Sequence, residues 1–279
     1  MTSQRPISIA HKNDLSAYLG DWMTMMRSVM NIMRPEEAQR YDLTRIPTTF
    51  ESLHNNTYDL SVVLTHLDSR LRVLEEKPIP QLDFQAYAEA RVFLKAFYVF
   101  FRILLDNVSG VIEFFYKKNE PGVAITKSFH DLLENAKRGN LPEDLSRLLE
   151  QPSSWFPEVM DSRDDLVHHY DSLLISIEHG ESGRNILGHF NIKGRAYREY
   201  VSIREHFGFL LCEYQTLIDN LLDHFDTKFR DWYGIVQGKS GRTCSIMSGC
   251  VALPLWWAYE YGNYRHKDLQ VSEDNIEAP

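Results

Sequence analysis

Residues 84–116, FQAYAEARVFLKAFYVFFRILLDNVSGVIEFFY, decide the fold. Phe93, Phe97, Tyr98, Phe100, Phe101, Phe114 and Phe115 recur at helical steps with few charges between them. An apolar stripe this broad belongs to a helix at the centre of a bundle, packed on most of its circumference. Asp106 and Glu113 are polar exceptions within it. They are candidates to face Arg163 from a neighbouring helix, although solvent would satisfy them equally well.

Upstream, residues 50–76 place Leu60, Val63, Leu64, Leu67, Leu71 and Leu74 three and four residues apart, an amphipathic helix ended by Pro78 and Pro80. Residues 15–33 read as another helix, stopped at Pro35, with Met23, Met25, Met26, Met30 and Met33 as adaptable core filler. Downstream, a shorter helix over 122–140 stops at Arg138-Gly139-Asn140, and Pro142 restarts a brief one. A break at Gln151-Pro152-Ser153-Ser154 precedes a helix over 155–169, with Pro157 in its first turn, where proline is tolerated. The period then changes. Residues 172–178 and 185–192 read as strands around the turn Gly180-Glu181-Ser182-Gly183. Residues 194–232 return to the helical period.

The expected architecture is mainly α, an up-down multi-helix bundle with a β-hairpin (172–192) inserted after the motif helix. Residues 1–80 supply helices that pack on the bundle, and 81–233 form the bundle itself. Residues 234–279 make an irregular aromatic strap, packed on the bundle or buried in a dimer, and an acidic tail, all in one compact unit.

Composition sets outer bounds. With 43% hydrophobic and 25% charged residues the chain has ample material for a core. A net charge of −9 argues against a protein that coats nucleic acid, though not against a local basic cleft. Cys212, Cys244 and Cys250 cannot all pair and are not spaced as zinc ligands, which suggests a reducing, cytoplasmic setting. Residues 1–14 lack a signal-peptide pattern, and Lys95 and Arg102 break the most apolar run, so no membrane span is expected.

The densest ionisable chemistry lies in Asp161-Ser162-Arg163-Asp164-Asp165-Leu166-Val167-His168-His169-Tyr170-Asp171. On a helix, Asp164 shares a face with His168, and Asp165 with His169. The spacing Arg163, four residues, His168, one residue, Tyr170 resembles the signature of the HEPN (higher eukaryotes and prokaryotes nucleotide-binding) domains, with Asp164 at the polar position after the arginine. The resemblance covers the motif and the helices around it, about residues 85–232.

That resemblance implies a helical bundle that dimerises around a shared cleft and, in many members, a metal-independent endoribonuclease of toxin–antitoxin or other defence systems. It implies that Arg163 stabilises the phosphate and that His168 is the general base, with His169 also within the permitted spacing. Tyr170 matches the tyrosine that a partner nucleotidyltransferase adenylylates in one toxin branch. The implied partners are RNA or a nucleotide, a second copy of the chain, and an antitoxin or nucleotidyltransferase; no cofactor or metal is implied. Asp164 would raise the pKa of His168 and orient its ring. Arg163 and His168 lie roughly 140° apart on an ideal helix, so a second protomer completing the site is expected. Arg184, Lys193, Arg195 and Arg198, with Arg204, make the most basic stretch and are candidate RNA-backbone contacts, or a solvated face.

Other readings carry less. The same motif can be a surface salt-bridge ladder, and the chain a non-catalytic nucleotide-binding or protein-interaction module. Residues 234–240, GIVQGKS, have one residue too few between the glycines for a phosphate loop and follow a helix rather than a strand. Glu113, Glu205, His206 and Glu213 do not reproduce the spacing of a di-iron bundle. Haem ligation by His130, His189, His206 or His224 ranks below a satisfied core histidine.

Overall fold

The computed structural model describes residues 46–76, 83–120, 122–123, 125–168, 175–180, 183–190, 199–233, 257–258 and 261–262. The helix expected over 15–33, the acidic tail and most of the aromatic tail lie outside these. The described chain is mainly α, with a β-hairpin after the motif helix that a third strand extends. Among the described residues no helix is long and apolar enough to cross a membrane.

Helix α1 (Ile46–Glu76) packs along α2 (Phe84–Asn119). Leu60, Leu64, Leu67 and Leu71 are fully buried and Val63 and Leu74 nearly so, which is the stripe its sequence defines. Asp83 caps α2 by accepting from the Ala86 N–H at 3.0 Å. Phe97, Tyr98, Phe101, Phe115 and Tyr116 lie at the centre of the core.

Helix α3 (Phe129–Lys137) starts later than its sequence suggests. Ser128 accepts from the Asp131 N–H, and Asp106 of α2 accepts from the Phe129 N–H at 2.8 Å. Two carboxyl or hydroxyl caps thus satisfy the first turn at residue 129 and leave the preceding residues outside the helix. Gly139, at φ +70°, ends the element as Arg138-Gly139-Asn140 predicts. Asp106 therefore caps α3, and Glu113 pairs with Lys117 at 3.0 Å.

After α4 (Glu143–Leu148) comes the motif helix α5 (Pro152–His168). It begins at Pro152, three residues before the expected start, so Pro157 falls in its interior and not in its first turn.

Strands β1 (Ile175–Gly180) and β2 (Gly183–Phe190) form the expected hairpin, with Gly180 opposite Gly183. Strand β3 (Glu199–Ser202) pairs antiparallel with the other edge of β2. These four residues correct the expected helix over 194–232, because α6 (Ile203–Tyr233) starts only after them. The unpaired edge of β2 offers backbone partners that Tyr200 and Val201 suit, and Tyr200 stacks across the strands on His189 at 4.6 Å. Ser202-Ile203-Arg204-Glu205 has the capping-box pattern, and the Glu205 N–H donates to Ser202 Oγ at 3.4 Å.

Helix α6 closes the core on α2, with Phe207 stacked on Phe97 at 3.7 Å. Part of the aromatic tail packs on the bundle as a strap. Trp257 and Ala258 are buried, and Tyr261 and Gly262 lie against Gly208 and Cys212 of α6. A Cβ on Gly208 would meet the Tyr261 backbone carbon at 2.6 Å, so glycine is what permits this approach. Gly208→Ala should lower stability by about 1–3 kcal/mol through overpacking. It should also expose Trp257, seen as a lower midpoint in chemical unfolding and a red-shifted tryptophan emission; an unchanged midpoint and spectrum would count against the strap contact.

Candidate functional site

Arg163, Asp164 and the backbone of His168 lie on the last turns of α5, which ends at His168. The helix buries one face: Trp155, Phe156, Glu158, Val159 and Ser162. Beyond Ser162, residues Arg163, Asp164, Asp165 and Leu166 are partly exposed. Arg163 and Asp164 keep 36% and 44% of their side-chain surface exposed, and Arg163 Nη1 donates to Asp164 Oδ1 at 2.7 Å. The contact drawn here by Asp164 is thus with its neighbouring arginine. The side chain of His168 falls outside the described set, as do residues His169 and Tyr170.

The surroundings of Arg163 are charged in both senses. Arg102 of α2 sits over the Phe156 ring at 4.7 Å and pairs with Asp106 at 3.3 Å. Burial lowers its pKa and the nearby Arg163 charge adds to that, while Asp106, Asp164 and Asp131 pull the other way. Its Nη1 has no hydrogen-bond partner among the described residues. Burial raises the pKa of Asp161, with Asp165 and Asp164 contributing by repulsion. Arg102 thus lies against the first half of α5, and its charge and that of Arg163 act on one another among several aspartates. Of the candidate RNA contacts, Arg184 stands opposite His179 in the hairpin register, while Lys193, Arg195 and Arg198 lie outside the described residues. Arg204, the last of the basic stretch, is half-buried and bridges Asp68 at 3.0 Å and Glu75, so it ties α6 to α1.

Two polar clusters, one buried and one partly buried, have no motif in the sequence. In the first, His206 Nε2 of α6 shares a 2.9 Å hydrogen bond with Tyr98 Oη of α2 and lies 3.0 Å from Glu158 Oε1 of α5. Oε1 makes no aligned hydrogen bond among the described residues, so this is a close polar contact off the ring's N–H axis. The only trace of it in the sequence is a carboxylate and an imidazole set within apolar helix faces. In the second, Tyr116 Oη and His224 Nε2 are 2.5 Å apart, and Lys228 Nζ reaches Glu120 at 2.8 Å and Asp144 at 3.1 Å. Lys228 also lies 5.4 Å from the centre of the Tyr116 ring and 5.7 Å from that of Trp232. Burial would lower the Lys228 pKa, but its two carboxylate partners raise it overall.

The histidines weighed as haem ligands are held by their neighbours: His206 and His224 as described, His189 on Tyr200, and His130 on Phe156 at 6.4 Å. Among the described residues no three His, Cys, Asp or Glu side chains gather as metal ligands. Comparison with protein-family models, curated proteins and solved structures finds no match to this chain.

The second cluster carries a pH dependence. Burial lowers the pKa of His224, partly opposed by Asp144, so the folded protein prefers the neutral ring. Its contribution to stability is complete above the unfolded value of about 6.5 and is lost as pH falls through the lower folded value. Urea unfolding between pH 7.5 and pH 5 should therefore show stability falling, with a shallower fall in His224→Gln. Equal slopes in the two proteins would remove His224 from this role.

Proposed function

We propose that this chain is a HEPN-like, metal-independent endoribonuclease acting through Arg163 and His168. The observation that carries the reading is the Arg-x4-His-x-Tyr spacing of the sequence, with Arg163 partly exposed near the end of α5 in a mainly α protein. Arg163 offers a planar, permanent cation at the surface, suited to the oxygens of a scissile phosphate. In this reading His168 takes the proton of the RNA 2′-hydroxyl, and the freed oxygen attacks the adjacent phosphorus. The 5′-oxygen then leaves with a proton from the imidazolium or from water. Arg163 stabilises the charge that builds on the phosphorane.

Asp164 would hold Arg163 until phosphate competes for it, and would orient His168. His169 is the alternative base. Arg184, Lys193, Arg195 and Arg198 would follow the RNA backbone away from the cut. The 140° offset between arginine and histidine calls for a homodimer with both motifs on one cleft. A toxin or defence role in the cytoplasm, controlled by an antitoxin or by adenylylation of Tyr170, belongs to the same reading.

The 2.7 Å bond between Arg163 and Asp164 favours a second reading. An arginine already neutralised by its neighbour suits a non-catalytic module that binds a nucleotide or a protein. Cleavage of total RNA by the purified full chain in excess EDTA separates the two. Arg163→Ala and His168→Ala should each lower the rate by at least about 100-fold, the usual loss of a catalytic proton-transfer or charge-stabilising group, with the helical spectrum unchanged. Equal cleavage by all three proteins would exclude this site, and no cleavage by any would favour the binding module.

A further inference from the structure

We propose that Glu158, His206 and Tyr98 form a buried lock that sets the position of the C-terminal half of α5 and so aims the Arg163–His168 motif. The consequence for RNA cleavage rests on the ribonuclease reading above; the mechanical part does not.

The need for a lock comes from Pro157. A proline inside a helix has no N–H to give the carbonyl four residues back, here that of Ser153, and its ring crowds the same carbonyl. The two halves of α5 are therefore coupled more weakly than in an unbroken helix. Beyond Pro157, Val159 is the only apolar side chain among the described residues of α5 that is buried; Met160 and Leu166 are only partly covered. Apolar packing by these three side chains tolerates a small rotation of the half-helix.

Glu158 and His206 do not tolerate it. Their side chains keep only 5% and 6% of their surface exposed, at a separation of 3.0 Å. Turning the half-helix by one residue moves Glu158 by about 100° around the axis and leaves a buried carboxyl group and a buried imidazole without each other. His206 is itself held in place. Its ring stacks on Phe190 of β2 at 4.2 Å, and its Nε2 meets Tyr98 of α2 at 2.9 Å. Through this one ring α5 takes its setting from α2, from α6 and from β2. Glu158 stands five residues before Arg163 and acts through the helix, so it is a positioning residue.

The test is amide hydrogen exchange on the full-length protein, comparing residues 159–168 with the centre of α2, in wild type, Glu158→Gln, His206→Phe and Pro157→Ala. His206→Phe keeps the ring that packs on Phe190 and deletes the nitrogen, so it reports the lock even if Glu158→Gln bonds His206 afresh. Both lock variants should raise exchange in 159–168 about tenfold relative to α2, the effect of losing one buried polar partner. Combining Glu158→Gln with Pro157→Ala, which restores the missing backbone bond, should return most of that increase. A uniform rise in both helices, no rise, or the same rise with and without Pro157 would overturn the lock. Where the wild type cleaves RNA, kcat should fall in step with exchange while KM holds within about twofold, because positioning acts on the reacting geometry. Loosened exchange with unchanged kcat would show that the lock does not aim the motif. A wild type that does not cleave RNA would defeat the ribonuclease reading and leave the exchange result to decide the lock.

Discussion

The stack of Phe97 on Phe207, 3.7 Å apart and nearly parallel, is the contact on which the rest of this structure depends. It joins the middle of α2 to the first turns of α6 through two rings 110 residues apart in sequence. Around it Tyr98 meets Phe207 edge-on and Phe190 tilts against the same ring, while Phe101 stacks on Phe97 and takes the edge of Tyr214, arrangements that aromatic quadrupoles favour. Deleting either ring would cost about 3–5 kcal/mol, a large share of the stability of an ordinary domain. Because β3 leads directly into α6, the same stack also fixes where the sheet lies on the bundle.

Polar groups then specify what apolar packing leaves loose. Surface pairs such as Arg147–Glu143 and Lys137–Glu134 are exposed and contribute little. The more enclosed ones join different elements. Arg204 draws on Asp68 and Glu75 of α1, Lys228 on Glu120 and Asp144, and His206 on Tyr98 and Glu158. The fully enclosed Glu158 and His206 would each be left unpartnered if their helices slid past one another, so such a contact discriminates between registers more than it adds stability.

The motif helix combines both features. Its first half is embedded through Trp155 and Phe156, its interior is interrupted by Pro157, and its last turns emerge with Arg163, Asp164 and Asp165. The contact of Glu158 with His206 is buried, while Arg163 and Asp164 keep 36% and 44% of their side-chain surface exposed, which suits this helix to present charged groups to a ligand. It is also sensitive to changes well removed from those groups.

The sequence by itself determined the helices and most of their buried faces. In α1 all six residues of the leucine and valine stripe are buried, and Arg138-Gly139-Asn140 ends α3 where it should, because these signals depend only on local period and on the left-handed freedom of Gly139. The hairpin was legible for the same reason. Tertiary structure decided the rest. Strand β3 exists because β2 offers it an edge, α3 begins where Asp106 reaches across from α2, and Arg204 serves α1 in place of a ligand. The trio of Tyr98, Glu158 and His206 comes from three helices, and no spacing along the chain encodes a contact that only packing brings together.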